Sequence, residues 1–480
     1  MTQQPFPSPG ADMAHRAHQL AMGGYVALVG AAGFFWYKSI WLDPLLTAAG
    51  VGILALGIVP MIRWLQRHDE AYPLPELLQF TLVPFYALPL LTAHPEVARY
   101  PEPILLQAAG LVLLFQLFCV LGAALADRSH HSGEPAAWLA EDLVAEDSLR
   151  FSAYTLTLTT AWLTVANFTT FIPPELTGTL RAVFFGVGTI SAFIQARMWG
   201  AGQLHQGQRV LFVANLLLQF ILMNLSLVLV TTMIMLLLVL VGYFSSARRL
   251  PLMVCGLAVL LFALLHAGKH KMRDKYWGEY GQSVAVLGVP AFYAEWIEHG
   301  LAGMLRRDSD ADPATRNSSL MERASLFQLV CYALDTVPDR TPFFRGETYA
   351  YIPSQVIPRF LWANKPSPND SVKTLSVKLG VLSAEQAETT SIGYGLITEA
   401  YVNFGSYGPT VLGLLLGWAL RKLARLTATC GTLSAGGILR ILCLAWCLNA
   451  ETTMAVWLSS FYQACIAILV PLFFYKSFLK

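Results

Sequence analysis

Charged residues are scarce in this sequence. Only 13% of its 480 residues are Asp, Glu, Lys or Arg, whereas about 25% is usual for soluble globular domains. Hydrophobic residues make up 55% of the chain, and many of them form runs of about 18–25 residues, long enough for a helix to cross a bilayer. The composition predicts an all-α polytopic membrane protein. The net charge of +2 is nearly neutral and indicates no partner by itself; we expect no nucleic acid.

Signals for disulfides, metals and cofactors are also weak. Of the seven cysteines, only Cys331 is expected on the outer face, so no exported disulfide is predicted. Cys443 and Cys447 share a helix face without a nearby His, which favours core packing. The segment DSDADP (308–313) starts like a calcium loop, but Pro and Ser replace the Gly and Glu that such a loop needs. We expect no metal and no cofactor.

The apolar runs predict about twelve spanning helices. The run at 209–246 is too long for one span, and we divide it near Asn224. We expect a cytoplasmic tail at 1–19 rather than a cleaved signal peptide, helices 1–9 within 20–267, one large loop at 268–392, and helices 10–12 with a short C-terminus within 393–480. The predicted helices lie near 20–38, 44–63, 76–93, 104–125, 151–171, 178–198, 209–246 (two), 251–267, 394–420, 434–450 and 454–475.

The distribution of Lys and Arg predicts the orientation. If the N-terminus is inside, most cations of the short loops fall on the cytoplasmic side, including Arg63, Arg128 and Arg421, and few fall outside. Both termini are then cytoplasmic. The long loop at 268–392 then lies on the outer face, and its many cations do not disturb the count because long loops are exempt.

Two segments of the large loop are predicted to meet the membrane. The basic stretch 266–280, which includes His270, is predicted to contact lipid headgroups, to gather an anionic lipid-linked substrate, or to do both. The apolar stripe of 290–306 predicts an amphipathic helix. That helix lies on the membrane, caps a cavity or packs on the ends of the bundle.

A third segment, 316–338, has the pattern of a helix that binds an anion. Ser319 and Glu322 form a capping box. Arg316 precedes this helix start and Arg323 lies just past its first turn, where a cation opposes the helix dipole. A phosphate bound at the helix N-terminus explains both arginines. The alternative is ion pairing with local carboxylates such as Asp312.

The next segment, 339–370, alternates cations with prolines and aromatic residues. Proline lowers the entropy lost when a loop becomes ordered, and aromatic rings stack on sugars or lie in the membrane interface. The pattern predicts a preorganised site for anions and sugars, with interfacial packing as the alternative. The helix that follows carries Glu399 at its outer end, and a carboxylate at membrane depth is a functional candidate. The other candidates of these two segments are Arg340, Arg345, Glu347, Tyr351, Arg359, Trp362, Lys365, Tyr401 and Asn403.

Three motifs of this region resemble one family. The segments FFRGETY (343–349), IPRFLWANKP (357–366) and GYGLITEAYVNFGSYG (393–408) together resemble the Wzy-type polysaccharide polymerases, which make O-antigen or exopolysaccharide. The resemblance implies a metal-independent inner-membrane glycosyltransferase related to the GT-C class. Its donor is a glycan on undecaprenyl pyrophosphate, and its acceptor is the next lipid-linked unit. Membrane lipids and a chain-length regulator are the other partners it implies.

The resemblance also suggests roles for the candidate residues. An acceptor hydroxyl attacks the anomeric carbon of the donor, so the site needs a base, which we expect to be Glu399, with Glu347 and His270 as substitutes. Cations must hold the pyrophosphate leaving group, and Arg359 is the first candidate. Tyr351 or Trp362 would stack on sugar. The remaining binding candidates are Arg316, Arg323, Arg340, Arg345, Lys365, Tyr401 and Asn403.

The sequence departs from the family pattern at two outer turns. Many members carry an arginine in a turn between two middle helices and another in the last outer turn. Here the corresponding segments, 223–230 and 448–454, contain none. Two alternatives therefore stay open: an O-antigen-ligase type of glycan transferase, and a polysaccharide or lipid transporter with about twelve helices.

Overall fold

A computed structural model describes most of the chain. The described residues are 11–38, 43–66, 72–92, 94–129, 137–141, 148–169, 174–247, 251–276, 284–305, 325–357, 362, 364–389, 391–431 and 434–478. Every regular element in these ranges is helical, with no strand. The prediction of an all-α protein is confirmed.

The chain divides into two compact units. The first contains residues 1–142 and 317–462, and the second contains 143–316 and 463–480. In the first unit the helices are α1 (Ala11–Lys38), α2 (Pro44–Gln66), α3 (Leu74–Leu91, with a π turn at Val83–Ala87), α4 (Glu102–Arg128) and α5 (Ala137–Ala140). The second unit contributes α6 (Ser148–Phe168), α7 (Pro174–Gly200), α8 (Gln206–Asn224), α9 (Leu229–Ala247), α10 (Leu252–Tyr276) and α11 (Val289–Leu305).

The remaining helices follow in the C-terminal part of the chain. The first unit contains α12 (Phe327–Thr336), α13 (Tyr351–Val356), α14 (Asp370–Lys378), α15 (Gln386–Thr389), α16 (Gly395–Phe404), α17 (Tyr407–Leu426) and α18 (Ala435–Cys447). The last helix, α19 (Met454–Phe478), begins in the first unit, and its residues from 463 onward belong to the second.

Several helices have the character of membrane spans. Among the described residues, four are long and apolar enough to cross a bilayer: Pro44–Trp64, Leu74–Leu91, Glu102–Arg128 and Gln206–Asn224. Shorter apolar helices lie at Thr231–Tyr243, Met253–Lys269, Ala435–Cys447 and Met454–Ile466. The protein is therefore a membrane protein. The number of twelve spans and the layout of the loop stay predictions.

Glycines bring α4 and α17 into close contact in the first unit. A Cβ atom added to Gly417 would lie 2.0 Å from the carbonyl oxygen of Cys119, and one added to Gly122 would lie 2.1 Å from that of Leu414. Side chains at these positions would hold the backbones apart, so the helices pack closely only because they are absent. Gly413, one turn before Gly417, makes a similar approach.

Two helix boundaries test the sequence patterns. The long apolar run at 209–246 is divided after Asn224, as predicted, and the Thr232 hydroxyl donates a 3.0 Å hydrogen bond to Asn224 Oδ1. The predicted single helix at 394–420 is instead two helices. Gly405 interrupts it with φ of 61° and ψ of −152°, a conformation that is open almost only to glycine.

The end of α10 and the amphipathic helix differ in part from expectation. Helix α10 continues to Tyr276, so much of the basic stretch 266–280 is helical rather than loop. Helix α11 forms as predicted, but its apolar stripe is divided. Phe292 and Trp296 are buried, and Trp296 Nε1 donates a 2.7 Å hydrogen bond to the Leu265 carbonyl of α10. Ile297, Leu301 and Met304 of the same stripe are exposed.

Buried polar side chains join the helices of the second unit. The hydroxyls of Thr155 and Ser191 are 2.6 Å apart, which connects α6 to α7. The Thr160 hydroxyl lies 2.6 Å from Asn215 Oδ1 and thereby connects α6 to α8. Such pairs satisfy polar groups that would be costly to bury alone, so they specify which helix faces meet.

Candidate functional site

The FFRGETY turn and helix α16 form one hydrogen-bonded structure. The backbone amide of Phe344 donates to the Val402 carbonyl at 3.0 Å, and that of Arg345 donates to the Asn403 carbonyl at 3.1 Å. These bonds satisfy the open carbonyls at the C-terminal end of α16. Two of the three motifs that carry the family resemblance therefore lie side by side.

The Asn403 side chain completes this connection. It is buried, and its Oδ1 accepts a 3.0 Å hydrogen bond from the Gly346 amide. Its Nδ2 donates to Thr348 Oγ1 at 2.9 Å and to the Glu399 carbonyl at 2.8 Å. Both N–H groups and the oxygen of the amide group are thus engaged in hydrogen bonds. Asn403 was expected to bind substrate, and the structure places it as a support for the turn.

The turn holds Arg345 in an unusual backbone conformation. Arg345 has φ of 51° and Gly346 has φ of 91°. For a residue with a side chain, this left-handed region costs about 1–2 kcal/mol, and such outliers concentrate at functional sites. The Arg345 side chain is exposed, and no described carboxylate lies within ion-pair distance of its guanidinium. The turn therefore displays an uncompensated cation.

Glu399 lies on the buried side of the same cluster. It is fully buried in α16, a helix of 10 residues that is not among the spans. Its Oε2 accepts a 2.6 Å hydrogen bond from the Met454 amide, the first residue of α19. A carboxylate is favourable at this position because the helix dipole is positive there. Glu399 therefore connects α16 to the start of α19.

The protonation of Glu399 is shifted by its surroundings. Burial raises the pKa of Glu399 from 4.5 to about 7, and the Met454 amide and the Thr348 hydroxyl offset part of that rise. Oε1 accepts no hydrogen bond of ordinary geometry from a described residue. A carboxyl group with a pKa near neutral pH can accept and release a proton in that range, which is a property that a general base needs.

The other charged candidates of the turn region are paired. Glu347 forms an ion pair with Lys378, whose ammonium lies 5.3 Å from the centre of the Phe344 ring. Arg340 pairs with Asp335 at 3.0 Å and is mostly exposed. Ion pairs this exposed contribute little to stability. Because both pairs are partly exposed, Glu347 and Arg340 are accessible to a ligand, but each already has an opposite charge beside it.

Lys365 and the aromatic candidates mainly hold local structure. Lys365 Nζ donates to the carbonyls of Ile357 at 2.6 Å and Gln355 at 3.3 Å, so it caps the C-terminal end of α13. A cation is favourable at that end of a helix. The Tyr351 hydroxyl lies 3.0 Å from Thr374 Oγ1. The Tyr401 hydroxyl donates a 2.9 Å hydrogen bond to the Val337 carbonyl.

The remaining candidates are placed only in part. Trp362 is 42% exposed, which leaves its ring available to a ligand. Arg316, Arg323 and Arg359 lie outside the described residues, as do Ser319 and Glu322 of the predicted capping box. His270 belongs to α10 in the second unit, and the position of its side chain is outside the description.

Comparison with known proteins assigns the chain to a family. A family model described as a domain of unknown function, DUF8712, matches residues 148–439, which is more than half of the chain. The chain belongs to the DUF8712 family. No curated protein and no solved structure matches it. The DUF8712 match includes Arg345, Asn403 and Glu399 but ends before Met454.

Sequence reasoning missed two parts of this DUF8712 member. Thr348 lies inside a motif that we singled out, but a threonine carries no signal of burial beside a carboxylate. Arg421 of α17 is buried and forms an ion pair with Glu76 of α3. The sequence carried one signal for this pair, since Glu76 and Arg421 are each a charged residue in an apolar helix. Charged residues are rare in membrane helices and usually have a partner there.

Proposed function

We propose that the protein is a membrane glycosyltransferase that polymerises lipid-linked oligosaccharide units at the periplasmic face of the bacterial inner membrane. Both termini would be cytoplasmic, as the distribution of Lys and Arg predicts. The donor would be a glycan on undecaprenyl pyrophosphate, and the acceptor would be the next lipid-linked unit. The proposal rests on the resemblance of three motifs to the Wzy-type polymerases.

The observation that carries the proposal is the hydrogen-bonded contact between the FFRGETY turn and α16. It brings an exposed arginine, Arg345, into the same cluster as a buried carboxyl group, Glu399. Transfer from a lipid pyrophosphate needs these two types of group, a cation for the leaving group and a base for the acceptor. Separate surface charges would not meet that need.

The proposed reaction is a single displacement at the anomeric carbon of the donor glycan. The acceptor hydroxyl forms a new C–O bond there, and the bond from that carbon to the pyrophosphate oxygen breaks. The electron pair leaves with the lipid pyrophosphate, whose charge Arg345, with Arg359 from the motif resemblance, would offset. The hydroxyl proton passes to the carboxylate of Glu399, whose Oε2 already accepts the hydrogen bond of the Met454 amide.

The test is complementation of a gene deletion, with analysis of the lipid-linked glycans. Glu399→Gln keeps an oxygen to accept from the Met454 amide but removes the base, so we expect lengthening to fall by about 100-fold or more. Arg345→Gln should lower it as well, and Arg345→Lys should restore part of it. Arg99→Gln is the matched control, because Arg99 is exposed, already pairs with Glu96 at 2.7 Å and is not one of the site candidates.

The glycans that accumulate separate this proposal from its rivals. Single repeat units on the carrier are expected for a polymerase. Long chains that stay on the carrier would identify a ligase, and units that stay on the cytoplasmic face would identify a transporter. Either of these two outcomes overturns the proposal. Normal lengthening in the Glu399→Gln variant would remove Glu399 from the role of base.

A further inference from the structure

Lys378 lies against the FFRGETY turn and contacts it on both sides of Arg345. Its ammonium forms an ion pair with Glu347 and lies 5.3 Å from the centre of the Phe344 ring. Phe344 directly precedes Arg345 in the chain, and Glu347 follows Arg345 by two residues. The turn that displays the Arg345 guanidinium therefore has a second cation beside it, which comes from a different part of the chain.

The backbone around Lys378 is held in place by two hydroxyl groups. Lys378 ends α14, and its carbonyl accepts a 3.4 Å hydrogen bond from the Thr341 hydroxyl. The next carbonyl, that of Leu379, accepts a 2.7 Å hydrogen bond from the hydroxyl of Tyr332 in α12. Carbonyls at the C-terminal end of a helix need such partners from outside it. The Lys378 side chain therefore reaches the turn from a fixed starting point.

The ion pair of Lys378 with Glu347 can be exchanged for another anion. The two side chains are 46% and 41% exposed, and ion pairs at this exposure contribute little to stability. Phe344 is buried in the hydrophobic core of the first unit, so its ring stays beside Lys378 when Glu347 moves away. An aromatic ring attracts an ammonium group without a carboxylate.

The two cations of the turn fit a ligand that carries charge on two phosphate groups. No described carboxylate lies within ion-pair distance of the Arg345 guanidinium, and the carboxylate of Glu347 pairs with Lys378 instead. Glu399 is fully buried behind the turn. Cations form short, strong hydrogen bonds to phosphate oxygens, so two separate cations bind a diphosphate more tightly than one cation does.

We propose that Lys378 is a second binding residue for a diphosphate at this turn, and that the diphosphate displaces Glu347 from Lys378. The inference rests on the proposed function, in which Arg345 offsets the charge of the lipid pyrophosphate. Glu347 then acts as a counter-charge that keeps Lys378 at the turn while no ligand is bound. A lipid-linked diphosphate and soluble pyrophosphate share this chemistry.

The experiment measures diphosphate binding by the full-length protein in phosphatidylcholine nanodiscs. In one arm, inorganic pyrophosphate is added at constant ionic strength, and in the other, polyprenyl pyrophosphate is added to the lipid. A ligand that binds the folded protein raises the unfolding midpoint. Lys378→Gln should need about threefold to fivefold more ligand for the same rise, which is the scale of one exposed charge pair. Lys378→Arg should recover most of this loss.

Glu347→Gln should have the opposite effect. It removes the charge that competes for Lys378, so it should need less ligand than the parent protein for the same rise. Lys373→Gln is the matched control, because Lys373 belongs to the same helix but pairs with Glu388 of α15 rather than with the turn. This variant should respond like the parent protein.

The outcomes identify the source of the diphosphate and test its site. A rise with polyprenyl pyrophosphate alone identifies a lipid-linked ligand, and a rise in both arms identifies the diphosphate group itself as sufficient. The proposal is overturned if neither ligand raises the midpoint, if Lys378→Gln and Lys373→Gln respond alike, or if Glu347→Gln binds no more tightly than the parent protein.

Glycan lengthening separates this inference from the proposed function. If the variants change diphosphate binding as expected but the parent gene does not lengthen glycans, Lys378 stays a diphosphate ligand and the polymerase assignment fails. If lengthening occurs but Lys378→Gln binds diphosphate like the parent protein, the polymerase assignment stands and the role of Lys378 is refuted.

Discussion

Asn403 fixes the position of Gly346. Its Oδ1 accepts the hydrogen bond of the Gly346 amide at 3.0 Å, and its Nδ2 reaches Thr348 two residues further along the turn. The buried Asn403 side chain therefore makes both of these hydrogen bonds to the turn, in place of water. The displayed guanidinium of Arg345, which precedes Gly346, depends on that support.

Replacing Asn403 with alanine should destabilise the protein and loosen the turn. The substitution leaves the Gly346 amide and the Thr348 hydroxyl without the side chain that they bond. Each buried polar group that loses its hydrogen bond lowers the free energy of unfolding by about 1–3 kcal/mol. We expect a loss of about 2–4 kcal/mol, measured from unfolding in detergent. Asn369→Ala, at an exposed position of the same unit, should change stability by less than about 0.5 kcal/mol. Equal losses in the two variants would contradict the role of Asn403.

Stability should depend on pH through Glu399. Because burial raises the pKa of Glu399 from 4.5 to about 7, the folded protein binds this proton more tightly than the unfolded chain does. The contribution is fully present below pH 4.5 and is lost as the pH rises through about 7; it is on the order of 3 kcal/mol. Glu399→Gln should therefore gain stability relative to the parent protein between pH 5 and pH 8.

The measurement is the difference in unfolding free energy between variant and parent at those two pH values. Glu385→Gln serves as the control, because Glu385 is an exposed carboxylate in the same unit. As a surface substitution, Glu385→Gln should stay within about 0.5 kcal/mol of the parent protein at both pH values. A constant difference for Glu399→Gln as well would show that Glu399 does not titrate in this range.

The close contact of α4 and α17 predicts a strong effect of one added methyl group. In Gly417→Ala the new Cβ would lie 2.0 Å from the Cys119 carbonyl oxygen, so the helices must separate, at a cost of about 1–3 kcal/mol. In Gly110→Ala, within α4, the new Cβ would meet nothing within 4 Å. That variant should be neutral or gain up to about 1 kcal/mol from helix propensity. The measurement is the thermal unfolding midpoint of each variant. Similar midpoints for Gly417→Ala and Gly110→Ala would contradict the close contact of α4 and α17.

The buried pair of Glu76 and Arg421 should show strong coupling. Removing one partner leaves the other charge buried, so Glu76→Gln and Arg421→Met should each cost about 3–5 kcal/mol. The double variant should be much more stable than the sum of these losses predicts. A double-mutant cycle measures the difference, and additive losses would show that the two side chains do not interact in the folded protein.

Sequence reasoning predicted much of the helical framework. The position of α2, the division after Asn224 and the helix at 289–305 follow from the length and spacing of apolar residues, which depend only on nearby sequence. The break at Gly405 was missed because a glycine within an apolar run is tolerated in many helices. Its left-handed conformation becomes evident only in the structure.

Local sequence therefore determined which segments are helical, that the protein belongs in a membrane, and which loop motifs resemble a polymerase site. Tertiary structure decided the environment of the side chains. Glu399 is buried, and its carboxylate accepts a hydrogen bond from Met454 at the start of α19. Lys365 caps a short helix rather than standing free. Arg421 meets Glu76 across 345 residues of chain. Such contacts depend on how distant helices pack, which no local pattern of residues specifies.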